Sequence, residues 1–146
     1  MPASIDVLRA RILIVDDEQA NRRLLEYALR RAGYAGVEST SEPLEVCALH
    51  RQNHYDLIIL DIQMPQMNGF QVMEALAGVP GERAAIFVLS ADPAQMVRAL
   101  EAGAAGFLSK PLVLAELVLR VQGMLEKAPA CQNAAEVRLS YAASMT

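Results

Sequence analysis

Cysteine is scarce in this sequence. Its 146 residues include only two cysteines, Cys47 and Cys131, which lie far apart and form no CxxC pair. Paired or clustered cysteines are the usual signature of disulfide frameworks and of thiolate metal sites. We therefore expect a cytoplasmic chain that carries two reduced thiols.

Long apolar runs and an excess of positive charge are also missing. A membrane-spanning helix needs about 18 or more consecutive apolar residues, and no such run occurs, so we expect no membrane association. The first ten residues, MPASIDVLRA, lack the charged start and the long apolar stretch of a secretory signal. The net charge of −4 argues against direct nucleic-acid binding, because phosphate neutralisation needs clustered Lys and Arg.

The apolar residues are concentrated in short runs. With 146 residues, 53% hydrophobic and 21% charged, the chain is long enough for one domain with a proper core and too short for two. Continuous apolar runs, rather than strict alternation, indicate strands that are covered on both faces of a parallel sheet. Five runs are predicted as strands: Arg11–Val15, a weaker one around Val37, Asp56–Leu60, Ala85–Leu89 and Ala105–Ser109.

Segments with helical spacing separate these strands. The first covers Glu18–Ala32 and stops at Gly33, and the second starts at a Ser41 N-cap with Pro43 behind it. The third follows Asn68-Gly69. The fourth starts near Pro93 and stops near Gly103, and the fifth runs from Leu114 to Leu125. Fivefold alternation of strand and helix predicts an α/β fold with right-handed crossovers and a doubly wound sheet.

The same patterns predict the domain boundaries. Residues 1–10 are interpreted as an N-terminal extension, and residues 11–127 as one domain. From Ala128 the sequence becomes small and polar, and its few apolar residues cannot build another core. Residues 128–146 are therefore interpreted as a C-terminal tail or as a linker to an output domain outside this chain.

Four of the predicted strands are followed at once by a residue with chemical use. Asp16-Asp17 follow the first strand, Asp61 the third, Ser90 the fourth and Lys110 the fifth. The carboxyl ends of parallel strands share one edge of the sheet, where ligands bind in open α/β folds. We therefore expect these residues to converge in one crevice, although they are scattered over nearly a hundred positions of the sequence.

The three acids allow two interpretations. Asp16 and Asp17 could cap the following helix, and Asp61 could be an ordinary turn residue. Together, however, three carboxylates at one edge repel one another unless a cation neutralises them, and ligands that are all oxygen suit Mg²⁺. The histidines His50 and His54 fall near the end of the second helix and are interpreted as solvated surface residues rather than metal ligands.

Lys110 and Ser90 extend this chemistry. A lysine at the end of a buried strand needs a carboxylate or phosphate partner, which could be a salt bridge to Asp16 or Asp17. The Lys110-Pro111 step is a candidate for a cis peptide bond. Ser90 could cap the fourth helix or donate to a phosphoryl oxygen. Acceptor, metal ligands, cation and hydroxyl together indicate a phosphoryl-transfer site based on positioning and charge neutralisation.

The segments ILIVDDE, DLIILDIQMPQMNGF, VLSA and GAAGFLSKP closely resemble, in order and spacing, the receiver domains of two-component response regulators, including chemotaxis regulators. The resemblance covers about Arg11 to Lys127. It implies a flavodoxin-like (βα)5 sandwich with sheet order 2-1-3-4-5. It also implies that Asp61 accepts a phosphoryl group from the phosphohistidine of a sensor histidine kinase or phosphotransfer protein. Such a domain is a signalling phosphoacceptor rather than an enzyme.

The resemblance further implies roles for individual residues. Asp17, Asp61 and the backbone carbonyl of Gln63 would bind Mg²⁺ or Mn²⁺ directly, with Asp16 acting through water. Lys110 would contact the phosphoryl group. Ser90 and Phe107 would form the switch, with Ser where Thr is frequent and Phe where many members have Tyr. Gln63 and Asp92 occupy positions that tune the lifetime of the acyl phosphate.

The expected output is a conformational switch. Its surface would comprise the fourth helix, the fifth strand and the fifth helix, and would control an output domain, a partner protein or a phosphorylation-dependent homodimer. The alternatives are a phosphate sink or a Mg²⁺-dependent aspartyl phosphatase resembling the haloacid dehalogenase type. That phosphatase type places a DxD motif after its first strand and generally has a cap insertion, whereas this sequence has DDE and no long insertion.

Two further alternatives are disfavoured by the same residues. A pseudo-receiver, an interaction module without phosphoryl chemistry, would be expected to lack acids or the lysine, and this sequence retains them all. A flavodoxin-like electron carrier would need a phosphate-binding loop after the first strand, where the acids of this sequence would repel the cofactor phosphate.

Overall fold

The computed structural model describes residues 5–64, 67–79 and 84–127, and the predicted tail at 128–146 lies outside these residues. A five-stranded parallel sheet forms the centre, in the order β2-β1-β3-β4-β5. The predicted α/β class and sheet order are confirmed. The strands are β1 (Arg11–Val15), β2 (Gly36–Thr40), β3 (Leu57–Asp61), β4 (Ala85–Ser90) and β5 (Gly106–Ser109).

Helices cover both faces of the sheet. They are α1 (Ile5–Leu8), α2 (Gln19–Arg31), α3 (Val46–Asn53), α4 (Gly69–Ala77), α5 (Met96–Glu101) and α6 (Leu114–Lys127), with 3-10 turns at Pro43–Glu45 and Pro93–Gln95. Helix α4 begins with a capping box, in which Asn68 Oδ1 accepts from the Gln71 N–H and the Gln71 side chain accepts from the Asn68 N–H. None of the helices in the described part of the chain is long and apolar enough to cross a bilayer.

Two hydrophobic clusters hold the layers together, one on each face of the sheet. Alternate residues of β1 enter different clusters: Leu13 and Val15 pack with residues of α3, α4 and α5, whereas Ile12 and Ile14 pack with residues of α2 and α6. All five residues of β3 are buried. This explains the continuous apolar runs of the sequence, because a central parallel strand is covered on both faces.

Two predicted helix starts differ from the structure. The second predicted helix opens with the 3-10 turn Pro43–Glu45 rather than with an Ser41 cap, because the Thr40 hydroxyl accepts the Glu42 N–H at 3.0 Å. Thr side chains commonly compete for backbone groups two residues on. The fourth predicted helix likewise opens with a 3-10 turn, Pro93–Gln95, before α5 begins.

The predicted N-terminal extension contains helix α1. Val7 and Leu8 pack against the cluster that includes Tyr34. Gly33 ends α2 with φ +110°, and a Cβ at Gly33 would lie only 3.1 Å from a Leu8 methyl carbon. Glycine therefore satisfies both the left-handed backbone and the space that Leu8 fills.

The prediction that His50 is a solvated surface residue is wrong. His50 is buried, and its Nδ1 accepts the Tyr55 N–H at 3.1 Å. The cause is the end of α3, where His54 adopts the left-handed conformation with φ 54° and turns the chain back across the helix. Tyr55 then stacks on the His50 ring with centroids 6.1 Å apart, while His54 itself is exposed.

Candidate functional site

The three acids predicted from the strand ends meet at the carboxyl edge of the sheet. Val15 is paired with Leu60 in the β1–β3 register, so the next residues, Asp16 and Asp61, extend side by side. Each of the three carboxylates of Asp16, Asp17 and Asp61 has an oxygen within 4.8 Å of the other two. Asp16 and Asp61 are buried, whereas Asp17 is exposed and faces solvent.

The backbone holds Asp16 firmly. Its N–H donates to the Thr40 carbonyl at 3.2 Å, and its own carbonyl accepts from Arg22 Nη1 at 2.8 Å. Oδ1 accepts the Glu18 N–H at 2.9 Å, which fixes the loop; the N-cap of α2 is Glu18 and the helix has no side-chain cap, so neither Asp16 nor Asp17 caps it. Oδ2 is buried and accepts no hydrogen bond from any residue in the described ranges. One oxygen therefore fixes the loop and the other remains available for a ligand.

Burial raises the pKa of Asp16 above its ordinary value of 3.8. The hydrogen bond from Glu18 and the charge of Lys110 lower this pKa, whereas the neighbouring charges of Asp61 and Asp17 raise it. Burial and the neighbouring acids therefore disfavour the ionised form of the Asp16 carboxyl group when no cation is bound. An unpartnered buried oxygen beside two more carboxylates is suited to a hard divalent cation, which prefers oxygen ligands.

Lys110 pairs with Asp61. Its Nζ lies 3.2 Å from Asp61 Oδ2, whereas the sequence suggested Asp16 or Asp17 as resting partners. Pairing of β4 with β5 explains the choice, since the Lys110 N–H donates to the Ser90 carbonyl at 2.8 Å and directs the chain past the end of β4. The Gln63 N–H donates to the other Asp61 oxygen at 3.1 Å. The Lys110–Pro111 peptide bond is cis.

Ser90, the last residue of β4, is fully buried. Its hydroxyl donates to Gln95 Oε1 at 2.6 Å and accepts the Asp92 N–H at 3.0 Å. The cap of the following 3-10 turn is Asp92, whose Oδ1 accepts the Ala94 N–H at 3.0 Å. Asp92, rather than Ser90, therefore caps the turn that leads into α5.

The remaining predicted residues lie in different environments. Gln63 and Asp92 are exposed at the rim of the site. Phe107 is buried in the cluster that contains Val88 and Ala99, and its carbonyl accepts from Arg120 Nη2 at 3.0 Å. The sequence reasoning missed two polar residues, Arg22 and Gln95. Only their spacing, six residues after Asp16 and five after Ser90, hinted that they return to the strand ends.

Comparison with known proteins gives a consistent result. The family model described as "Response regulator receiver domain" matches residues 12–122. Among curated relatives, the response regulator MprA of Mycobacterium sp. strain KMS is 36% identical over 119 residues, covering 80% of this chain and 51% of the relative. The transcriptional regulatory protein PcoR of Escherichia coli is 36% identical over 119 residues, covering 81% and 52%. The chain spans about half the length of these relatives.

Solved structures agree with the observed topology. The chemotaxis protein CheY4 of Vibrio cholerae superposes with a TM-score of 0.72 at 29% identity, covering 80% of this chain and 98% of that one. The signal receiver domain of a signal transduction histidine kinase from Syntrophus aciditrophicus superposes with a TM-score of 0.74 at 31% identity, covering 85% and 96%.

Proposed function

The chain belongs to the response regulator receiver domain family, and from this premise we propose that it is a phosphorylation-controlled switch with Asp61 as its phosphoacceptor. The phosphoryl donor is the phosphohistidine of a sensor histidine kinase or phosphotransfer protein. The N–P bond of the donor breaks, an O–P bond to Asp61 forms, and the imidazole nitrogen keeps the electron pair. The chain acts as a signalling acceptor and assists only its own phosphorylation and dephosphorylation.

The observation that carries this proposal is the environment of the Asp61 carboxylate. Asp61 is only 4% exposed and is the one acid of the three that ends a central strand and pairs with Lys110. The Lys110 ammonium lies 3.2 Å from one Asp61 oxygen. It can instead pair with an oxygen of a phosphoryl group attached to Asp61, because that oxygen is also negatively charged. This arrangement supports transfer by positioning and charge neutralisation.

The residues around Asp61 also fit a divalent cation. We assign Asp17, Asp61 and the Gln63 carbonyl as direct ligands of Mg²⁺ or Mn²⁺, with Asp16 bound through water. The unpartnered Oδ2 of Asp16 and the crowding of three carboxylates support this assignment. When bound, the cation supplies charge neutralisation for these carboxylates and for the phosphoryl oxygens.

The output is proposed to be read from the face formed by α5, β5 and α6. Four large apolar side chains are exposed on α5, on α6 and just before α6: Met96, Val97, Val113 and Leu119. An output domain, a partner protein or a second phosphorylated copy would cover them. We propose that residues 11–127 form the receiver domain. Residues 128–146 are a C-terminal tail or a linker to an output domain, and the greater length of the relatives supports the linker. The cytoplasm is the expected location.

Labelling with a small phosphodonor tests the acceptor. Incubation with acetyl phosphate and MgCl₂ should add one base-labile phosphoryl group, measured by intact mass, because acyl phosphates hydrolyse in base. Asp61→Asn should abolish the addition, whereas Asp6→Asn, an exposed acid of α1, should not change it. A base-stable phosphate on Ser90, or full labelling of Asp61→Asn, would contradict the assignment.

A further inference from the structure

The hydroxyl of Ser90 forms a short hydrogen bond with another side chain of the protein. It donates to Gln95 Oε1 at 2.6 Å, whereas the competing acceptor, the Asp92 carbonyl, is 3.4 Å away. A serine hydroxyl has a single proton to donate. While that proton is given to Gln95, it is not available to a phosphoryl oxygen on Asp61.

Gln95 is placed to connect Ser90 with the next helix. It is the last residue of the 3-10 turn Pro93–Gln95, and α5 begins at Met96, directly after it. The turn is fixed at its start by Asp92, which caps it and donates its own N–H to Ser90 Oγ. The side chain of Gln95 therefore joins the end of β4 to the first residue of α5.

The segment that Gln95 joins is lightly packed. In α5, Ala99 is buried and Leu100 half-buried, whereas the other four residues are exposed; Pro93 and Ala94 of the preceding turn are exposed too. Arg98 adds a lateral contact, with its guanidinium 3.9 Å from the centroid of the Phe70 ring on α4. Segments with few buried contacts rearrange at low free-energy cost. The part-buried hydrogen bond between Ser90 and Gln95 is therefore one of the few side-chain contacts that hold the start of α5.

We propose that Gln95 is a latch that holds Ser90 in its resting position, and that phosphorylation moves α5 by breaking this hydrogen bond. The inference rests on the proposed function. A phosphoryl oxygen on Asp61 accepts the hydrogen bond from the Ser90 hydroxyl in place of Gln95, and the half-buried Gln95 amide then bonds water. Because binding couplings are reciprocal, a residue that holds Ser90 at rest must weaken the binding of any phosphoryl group at Asp61.

Calorimetric titration of the full chain with beryllofluoride in excess MgCl₂ measures this coupling. Gln95→Ala should bind beryllofluoride about three- to tenfold tighter than wild type, the range expected for loss of one neutral hydrogen bond. Gln52→Ala, at an exposed glutamine of α3, is the matched control and should bind like wild type. Gln95→Glu keeps the acceptor and makes it charged, so it should bind at least about threefold more weakly.

A double-mutant cycle separates a latch from a general effect on the fold. In a Ser90→Ala background the latch has no proton to hold, so Gln95→Ala and Gln95→Glu should each lose most of their effect on affinity. If wild type binds beryllofluoride and Asp61→Asn does not, the proposed function stands. The latch is then overturned if Gln95→Ala matches Gln52→Ala, or if its effect persists undiminished without the Ser90 hydroxyl. Failure of wild type to bind beryllofluoride would instead overturn the proposed function.

Discussion

Replacement of Asp16 by Asn should stabilise the metal-free protein. The Asp16 side chain is 1% exposed, and Oδ2 accepts no hydrogen bond from the described residues. In Asp16→Asn the side-chain oxygen still accepts the Glu18 N–H, while the new NH₂ group can donate to the Asp17 or Asp61 carboxylate nearby. One substitution thus removes a buried charge and supplies a partner at an unsatisfied position.

The magnitude follows from the cost of a buried polar group without a partner. Such a group costs about 1–3 kcal/mol of the free energy of unfolding, and a charged one more. For a domain of this size each 1 kcal/mol moves the melting temperature by roughly 3–6 °C. Asp16→Asn in EDTA should therefore melt at least several degrees above wild type. In excess MgCl₂ the difference should shrink, because wild type gains more from the cation than the variant does.

The pH dependence of this difference provides a second check. Burial raises the pKa of Asp16 in the folded state above 3.8, so between 3.8 and the folded pKa the native state holds more protons than the unfolded chain. Stability from this group is therefore lost as the pH rises through that window. The advantage of Asp16→Asn should grow as the pH rises through that window and vanish towards pH 3.8. Urea denaturation in EDTA across this range measures it, and a variant less stable than wild type at neutral pH would refute the reasoning.

Two further predictions concern the proposed metal site and the switch. Asp17→Ala should weaken Mg²⁺ binding by at least about tenfold, the lower limit seen when supporting groups of metal sites are removed, whereas tight zinc binding in the same calorimetry would contradict an all-oxygen site. Ser90→Ala should leave Asp61 phosphorylatable but remove the hydrogen bond between the Ser90 hydroxyl and the phosphoryl group, which is worth about 1.5–3 kcal/mol for a charged partner. Amide NMR shifts induced by beryllofluoride should then spread through Ala94–Leu119 in wild type but not in Ser90→Ala. Wild-type shifts confined to the surroundings of Asp16, Asp17 and Asp61 would indicate that the protein is a phosphate sink rather than a switch.

The strands and the convergence of the site were predictable because both depend on strong, repeated signals. Burial on two faces enforces apolar runs such as Arg11–Val15, and the parallel sheet then places every strand end at one edge. Some predicted strand boundaries differ from the structure by one residue. Asp61 belongs to β3 rather than to the loop, since its backbone still pairs with Leu89 of β4.

Other features depend on contacts that no periodic pattern encodes. His50 is buried because a single left-handed residue, His54, turns the chain and brings Tyr55 onto its ring. Lys110 pairs with Asp61 because the Lys110 backbone N–H is hydrogen-bonded to the Ser90 carbonyl. Local backbone geometry thus decides both the burial of His50 and the partner of Lys110. The sequence around these two residues is equally compatible with an exposed His50 and with a salt bridge from Lys110 to Asp16 or Asp17.

The bond between Ser90 and Gln95 is the case with the largest functional consequence. The sequence indicates a hydroxyl at the end of β4 and a proline three residues later, which suffices to predict a helix start but not its form. The 3-10 turn at Pro93–Gln95 advances the chain more per residue than an α-helical turn would, so it decides which side chain returns to Ser90. A receiver with the same acids and the same lysine but another residue at position 95 would keep the phosphoryl chemistry and lose the latch. Differences in how readily such domains switch can therefore arise from this turn while the acid site stays unchanged.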